Sequence, residues 1–150
     1  MEPARRVTLV YLLWWFVLAL VAVGNGALRE ALLADRLAER TAHQLSTLTL
    51  VLATGLVTAW LARRVRPRDD AQAWRLGLAW LVLTLAFECG FGRWVAGHSW
   101  ERLLADYDLA AGRLWPLFLA WVLVLPRLAR ELGRRWAARA RGAAHSERRR

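Results

Sequence analysis

Four stretches of the chain are almost free of charge, and the charged residues collect between them. The stretches are 7–28, 46–62, 76–91 and 114–126, and only Glu88 interrupts the third. A hydrocarbon core of about 30 Å needs about 20 residues of helix, so each stretch approaches the length of a crossing once a flanking turn is added. The pattern predicts four transmembrane helices at about 7–28, 46–62, 74–92 and 110–126.

Composition supports lipid rather than water as the solvent. Hydrophobic residues make up 57% of the chain and the mean hydropathy is +0.24, which leaves little polar surface for a water-soluble globule. The predicted fold class is therefore all-α, an integral membrane four-helix bundle over residues 1–126. A basic tail follows at 127–150.

The arginines are distributed unevenly between the two sides that four crossings would create. All 22 basic residues are arginine, and 16 of them fall in the N-terminus, the 63–75 loop and the tail. Short basic loops are retained in the cytoplasm, so this asymmetry predicts that both termini are cytoplasmic. A net charge of +10 would also suit a nucleic-acid-binding protein, but its placement favours the inner (plasma) membrane of a bacterium.

The segments outside the four crossings have amphipathic patterns. Leucines recur at helical spacing in the first outer connection, and a similar stripe follows Ser99, a candidate helix N-cap, in the second. Between the two hairpins, Asp69 or Asp70 can cap the third helix. The tail carries nine arginines, with apolar residues four apart, and we expect it to contact the anionic lipids of the inner leaflet.

Small residues four apart predict close helix packing. Ala22 and Gly26 form such a pair in the first helix, and Gly55 and Ala59 form one in the second. Pairs of this kind permit close contact within a bundle or between protomers. Homo-oligomers and a second membrane protein therefore stay open as partners.

Glu88 is the most informative polar residue, because it lies about one turn from the outer end of the third helix in an otherwise apolar run. A carboxylate in the membrane is costly and normally finds a cation or a hydrogen-bond donor. We expect Arg29, Arg93 or Arg113 to be that partner. The predicted outer cluster consists of Asn25, Arg29, Glu30, His43, Gln44, Glu88, Arg93, Tyr107, Asp108 and Arg113.

Two interpretations of this cluster are equally supported by the residues. It forms either a site for a small polar ligand, a lipid headgroup or a proton, or an inert ion-pair network that fixes the helices. The first function hypothesis is a noncatalytic membrane protein that binds a small ligand or lipid, or serves as an accessory subunit. The alternative is a small proton-linked transporter or channel that acts as an oligomer.

Catalytic and metal signatures are weak throughout. Cys89 is the single cysteine, and the three histidines lack the spacing of a metal motif. A zinc site of Glu88, His43 and His98 is the least favoured hypothesis. The sequence therefore favours a protein that is not an enzyme, with no catalytic residues, no metal and no cofactor.

Several polar motifs support a resemblance. They are Gly24-Asn-Gly-Ala-Leu-Arg-Glu30, Arg40-Thr-Ala-His-Gln44, Phe87-Glu-Cys-Gly-Phe-Gly92 and Ser99-Trp-Glu-Arg-Leu-Leu-Ala-Asp-Tyr-Asp108 with Gly112. On these motifs the chain resembles small uncharacterised four-helix inner-membrane proteins of bacteria. The resemblance implies a four-helix membrane protein with polar residues at its outer face, and it implies no activity or cofactor.

Overall fold

The computed structural model describes residues 3–33 and 35–147, and every regular element in these ranges is helical. This confirms the predicted all-helical class. A π-helical turn, Phe91–Val95, continues the third helix. The α-helices are α1 Pro3–Leu32, α2 Glu39–Arg64, α3 Asp70–Gly90, α4 Trp100–Ala105 and α5 Trp115–Glu147.

Three of the helices are long and apolar enough to cross a membrane: Ala4–Leu32, Glu39–Arg64 and Asp70–Val95. They cover the first three predicted crossings. The fourth prediction, 110–126, differs from the structure, because α5 begins only at Trp115. Charge begins at Arg127, so the apolar part of α5 is shorter than the about 17 residues of a minimal crossing.

The basic tail is part of α5 and is not a separate element. Pro126 lies inside this helix and does not end it, although proline removes one backbone hydrogen bond. The helix continues to Glu147, and residues 148–150 of the predicted tail lie outside the described part. The apolar and arginine-rich halves of α5 therefore form one continuous helix.

The two outer connections turn out differently. A separate amphipathic helix in the first is wrong, because α1 runs to Leu32 and α2 starts at Glu39. In the second, α4 matches the predicted stripe, and the Ser99 side chain accepts from the backbone N–H of Arg102 at 3.3 Å. The Asp69 cap of α3 is also confirmed by its bond to the N–H of Gln72 at 2.7 Å.

The long helices pack in a ring in which α1 contacts α2 and α3, and α5 contacts the same two helices. At one end, which we call the arginine-rich end, Gln72 donates to the carbonyl of Ala4 at 3.0 Å and Arg66 to that of Gly133 at 2.9 Å. These bonds place the start of α1, the α2–α3 loop and the arginine-rich half of α5 together. The opposite end, called the acidic end, holds the α1–α2 turn and residues 91–114.

A pair of aromatic residues fills the middle of the ring. Tyr11 and Trp80 are both fully buried, with ring centroids 5.6 Å apart. The Trp80 indole donates to the backbone carbonyl of Tyr11 at 2.8 Å. Trp15, also buried, donates to the Thr84 hydroxyl at 3.1 Å. These tryptophans therefore pack between helices and do not face outward.

Large apolar side chains cover the outside of the bundle as well as its interior. Thr54 and Thr58 are only 1% exposed, whereas Leu20 and Leu56 are 72% exposed. Soluble monomers rarely expose large continuous apolar surfaces. The leucines outside and threonines inside are the arrangement expected of helices whose outer face meets lipid.

Candidate functional site

Glu88 lies in the last turn of α3 and accepts two hydrogen bonds from neutral donors. Its Oε2 accepts from the Tyr107 hydroxyl at 2.7 Å and from the Trp115 indole N–H at 2.8 Å. The predicted arginine partner is therefore wrong. A phenol and an indole satisfy this carboxylate without placing a second charge in an apolar surrounding, where each charge is costly.

Two of the arginines expected near Glu88 bind elsewhere at the acidic end. Arg93 donates to the carbonyl of His98 at 3.4 Å. Arg113 forms an ion pair with Glu39 at 3.2 Å and lies 3.7 Å from a carboxylate oxygen of Asp106. Both guanidinium groups bind polar groups of loops and helix ends, where water screens their charge.

The segment between α3 and α5 brings both donors to Glu88. Gly92 permits close contact with Leu103 of α4, because a Cβ at this position would lie 2.6 Å from the leucine Cδ2. Gly112 adopts a left-handed backbone with φ +79°, which glycine accepts without strain. The Gln44 side chain donates to the carbonyl of Gly112 at 2.9 Å and ties this turn to α2.

Tyr107 and Trp115 both act as hydrogen-bond donors to Glu88 at neutral pH. Burial raises the pKa of the Tyr107 hydroxyl, and the hydrogen bond to Glu88 raises this pKa further. The phenol therefore stays protonated at neutral pH, and an indole N–H can only donate. Both bonds end on Oε2, and among the described residues none donates to Oε1. That second oxygen is left for a ligand.

A cavity of about 470 Å³ lies beside Glu88, and α1 and α3 with its π-helical continuation supply most of its lining. Its volume lies within the range of small-molecule sites, about 300 to 1,000 Å³. Most of its wall is apolar, with contributions from α1, α3, α4 and α5. The apolar lining residues include Trp15, Leu18, Ala19, Ala22, Val23, Phe87, Phe91, Leu103, Phe118 and Val122.

Small residues of α1 create the space. Ala22 and Gly26 line the cavity, and a Cβ built on Gly26 would have no heavy atom within 4 Å. Gly26 therefore makes no close contact with another helix of this chain, and a contact between protomers stays a prediction. By contrast, Gly55 of α2 does meet a neighbouring helix, since its Cβ would lie 3.0 Å from the Trp121 ring.

The polar lining residues come mainly from the acidic end. They are Arg29, Glu30, His43, Thr54, Thr84, Glu88, His98 and Asp106. Arg29 donates to Glu30 at 2.6 Å, and its second nitrogen lies 3.5 Å from His43 Nδ1. His43 is buried, and its Nε2 has no hydrogen-bond partner among the described residues.

The structure divides the predicted cluster. Arg29, Glu30, His43 and Glu88 line the cavity, and Tyr107 contacts it through Glu88. The other predicted residues, Asn25, Gln44, Arg93, Asp108 and Arg113, are not part of the wall. Asp108 instead caps a turn by accepting from the N–H of Ala111 at 3.0 Å.

Sequence reasoning missed Trp115 and Asp106 as residues of this site. Neither residue belongs to the predicted outer cluster. One signal was available for Trp115: a tryptophan at the same predicted depth as a lone carboxylate is a natural donor to it. His43, Glu88 and His98 line one cavity, but no three His, Cys, Asp or Glu side chains in the described ranges are arranged to hold a metal ion.

Asn25 joins α1 to α2 and does not face Glu88. Its amide nitrogen donates to the Ser46 carbonyl at 2.9 Å and to the Ser46 hydroxyl at 2.7 Å. Its oxygen accepts from the Thr49 hydroxyl at 2.8 Å. This clamp holds the half of α1 nearest the acidic end against α2.

We expect Asn25→Ala to lower the free energy of unfolding by about 1 to 2 kcal/mol, because it removes three interhelical hydrogen bonds that are worth about 0.6 kcal/mol each on average in membranes. Thr49→Val removes only one of them and should cost less than half as much. Both are measured by SDS-induced unfolding in mixed micelles. An equal loss in the two variants would contradict the clamp.

Comparisons with family models, curated proteins and solved structures give no significant match to this chain. The resemblance to bacterial inner-membrane proteins therefore stays a prediction.

Proposed function

We propose that this protein is a multi-pass protein of the bacterial inner membrane that binds a small amphiphile, such as a single-chain lipid, in the cavity between α1 and α3. The observation that carries the proposal is the distribution of polarity in that cavity. Its wall is apolar over most of its length, and Arg29, His43 and Glu88 meet at its acidic end.

The membrane assignment rests on the extensive exposed apolar surface and on three helices of sufficient length. In the proposed topology α5 is the fourth crossing, and flanking residues before Trp115 complete its span. The arginine-rich end lies in the cytoplasm and the acidic end outside, as the positive-inside rule requires. The arginine-rich half of α5 then lies at the anionic inner leaflet.

The chemistry of the cavity favours an amphiphile over a fully polar solute. Burying an alkyl chain contributes about 0.8 kcal/mol per methylene group, which an apolar wall can supply. A polar head at the acidic end would find an acceptor in Glu88 Oε1. It would also find a donor in His43. Because a guanidinium can only donate, His43 Nδ1 must accept from Arg29, and the proton of the neutral imidazole then lies on Nε2, which has no partner among the described residues.

The route into the cavity would be lateral. We place the opening between α1 and α3, which supply most of the lining and where Ala19, Ala22 and Gly26 have little or no side chain. A ligand dissolved in the outer leaflet could enter there with its chain in the apolar part and its head at the level of Glu88. This geometry suits a lipid better than a solute arriving from water.

The same geometry argues against passage of a solute through a single chain. Transport needs a path to the arginine-rich end, and the fully buried Tyr11 and Trp80 fill the ring below the cavity. The proposal is therefore binding rather than transport. In sealed vesicles, a pH-dependent flux that is lost in Glu88→Gln would contradict it.

Filling the cavity tests the binding proposal. The protein, purified in detergent, is incubated with oleate or 1-monooleoylglycerol, and retained ligand is counted by native mass spectrometry. We expect Ala22→Phe to weaken retention of the preferred probe by at least about tenfold, a loss of about 1.4 kcal/mol, because the ring occupies the cavity.

The matched control is Ala86→Phe, which adds the same ring at an exposed position of α3 outside the cavity wall. We expect this variant to retain the probe as the wild type does. Equal retention by wild type and Ala22→Phe, or equal loss in both variants, would contradict a site in the cavity.

A further inference from the structure

A second concave surface lies at the arginine-rich end, about 300 Å³ in volume. We call it the arginine groove. It lies between the α2–α3 loop and the arginine-rich half of α5, and it has no connection to the amphiphile cavity. Its lining residues are Arg66, Glu131, Arg134, Arg135, Ala137, Ala138 and Arg141.

We infer that the arginine groove binds the phosphate of an anionic phospholipid headgroup as a discrete site. This inference rests on the proposed membrane insertion but not on ligand binding in the amphiphile cavity. Basic pockets at the cytoplasmic ends of transmembrane helices are suited to such headgroups. Planar guanidinium groups donate in pairs to phosphate oxygens.

The groove holds four arginines and one acidic residue. That acid, Glu131, is already engaged, because its carboxylate accepts from Arg135 at 3.3 Å. Arg134 and Arg141 make no hydrogen bond or ion pair with another described residue. Two guanidinium groups therefore stay available for an external anion.

Arg66 is fixed as one wall of the groove. Its guanidinium donates to the carbonyl of Gly133 at 2.9 Å, and its aliphatic chain crosses α5 at this glycine. A Cβ on Gly133 would lie 2.3 Å from Arg66 Cδ, so only glycine leaves room for the crossing. The wall is therefore preorganised, which reduces the entropy that binding must overcome.

The floor and far wall come from one face of α5. Arg134, Ala137, Ala138 and Arg141 follow the spacing i, i+3, i+4 and i+7, which places them on the same side of the helix. The short side chains of the two alanines leave space between the two arginines. Side chains on a helix lean toward its N-terminus, so Arg141 reaches back toward Arg134 and toward the membrane.

The location favours a lipid over a soluble phosphate. Arg134 lies two residues beyond Leu132, a partly exposed apolar residue of α5, or about 3 Å along the helix axis. Trp136, between the lining residues Arg135 and Ala137, lies under the guanidinium of Arg63 at 4.8 Å, and tryptophan prefers the membrane interface. The groove is thus placed at the depth of the headgroups.

The test compares two double variants with the same loss of charge. Arg134→Gln with Arg141→Gln removes the free arginines of the groove. Arg68→Gln with Arg139→Gln removes two exposed arginines at the same end that do not line it. Full-length protein in detergent is titrated with phosphatidylglycerol or phosphatidylcholine, and bound lipid is counted by native mass spectrometry.

We expect the wild type to retain one phosphatidylglycerol in preference to phosphatidylcholine. The groove variant should bind phosphatidylglycerol on the order of tenfold more weakly, and the control variant within about twofold of the wild type. An equal loss in both variants would show a diffuse charge effect and overturn the site. Displacement of the lipid by millimolar inorganic phosphate would overturn the lipid assignment.

Discussion

Gly77→Ala is expected to lower the free energy of unfolding by about 2 to 3 kcal/mol, at the upper end of the range for overpacking. Gly77 is buried where α3 meets α5, and a Cβ at this position would lie only 1.9 Å from the backbone carbonyl oxygen of Leu123. A backbone atom cannot rotate away as a side chain can. The two helices must therefore separate. Among the described glycines, Gly77 is the one at which an added Cβ would come closest to another atom.

Gly24→Ala is the matched control for this change. Gly24 also lies inside a helix, but a Cβ there would have no heavy atom within 4 Å. Because alanine is favoured over glycine in helices by about 0.5 to 1 kcal/mol, this variant should be neutral or slightly stabilised. Both are measured by SDS-induced unfolding followed by circular dichroism. Equal stability of the two variants would show that α3 and α5 do not make this contact.

Glu88→Gln and Glu88→Leu should separate binding from stability. The glutamine carbonyl oxygen can still accept from Tyr107 and Trp115, so we expect the free energy of unfolding to change by less than about 1 kcal/mol. Leucine leaves both donors without an acceptor, and an unsatisfied buried donor costs about 1 to 3 kcal/mol. We expect Glu88→Leu to lose about 2 to 4 kcal/mol.

Ligand retention should follow a different order. In Glu88→Gln the group facing the cavity becomes an amide that donates, so a headgroup that donates to the carboxylate loses its acceptor. We expect both variants to weaken retention of 1-monooleoylglycerol, whose hydroxyl groups can donate to the carboxylate, by about tenfold or more. Glu101→Gln, at an exposed position of α4 outside the cavity wall, is the control and should bind normally.

Two outcomes of these Glu88 experiments would contradict the expectations above. Unchanged retention in Glu88→Gln would place the headgroup away from Glu88, in conflict with the proposed orientation of the ligand. Unchanged stability in Glu88→Leu would mean that water, and not only Glu88, satisfies Tyr107 and Trp115. The arginine groove is tested with separate variants, so its outcome is independent of both.

Local features of the fold were predictable because they depend on neighbouring residues. Asp69 and Ser99 cap helices as expected, since each accepts from a backbone N–H three residues ahead. A separate amphipathic helix in the first connection was predicted wrongly, because the helical spacing of the leucines continues from the end of α1 into the start of α2. Periodicity alone does not show where a turn interrupts a helix. Pro126 was a weak stop signal, because packing of α5 on both neighbours holds the helix together.

The candidate site was predictable in its location but not in its contacts. Glu88 stood out as a carboxylate in an apolar run, and Arg29 and His43 do lie at the same cavity. The direction in which each side chain points depends on how the helices rotate about their axes. Asn25 turned toward α2, so it became part of a clamp instead of the ligand site.

The sequence by itself determined the helical class, three of the four predicted apolar helices and the division into an arginine-rich and an acidic end, because composition and periodicity act along the chain. Only the tertiary structure decided that Tyr107 and Trp115 hold Glu88 and that the small residues of α1 leave a cavity. Those features arise where residues far apart in sequence meet. Their geometry depends on helix rotation and on the path of the 91–114 segment, which no local pattern specifies.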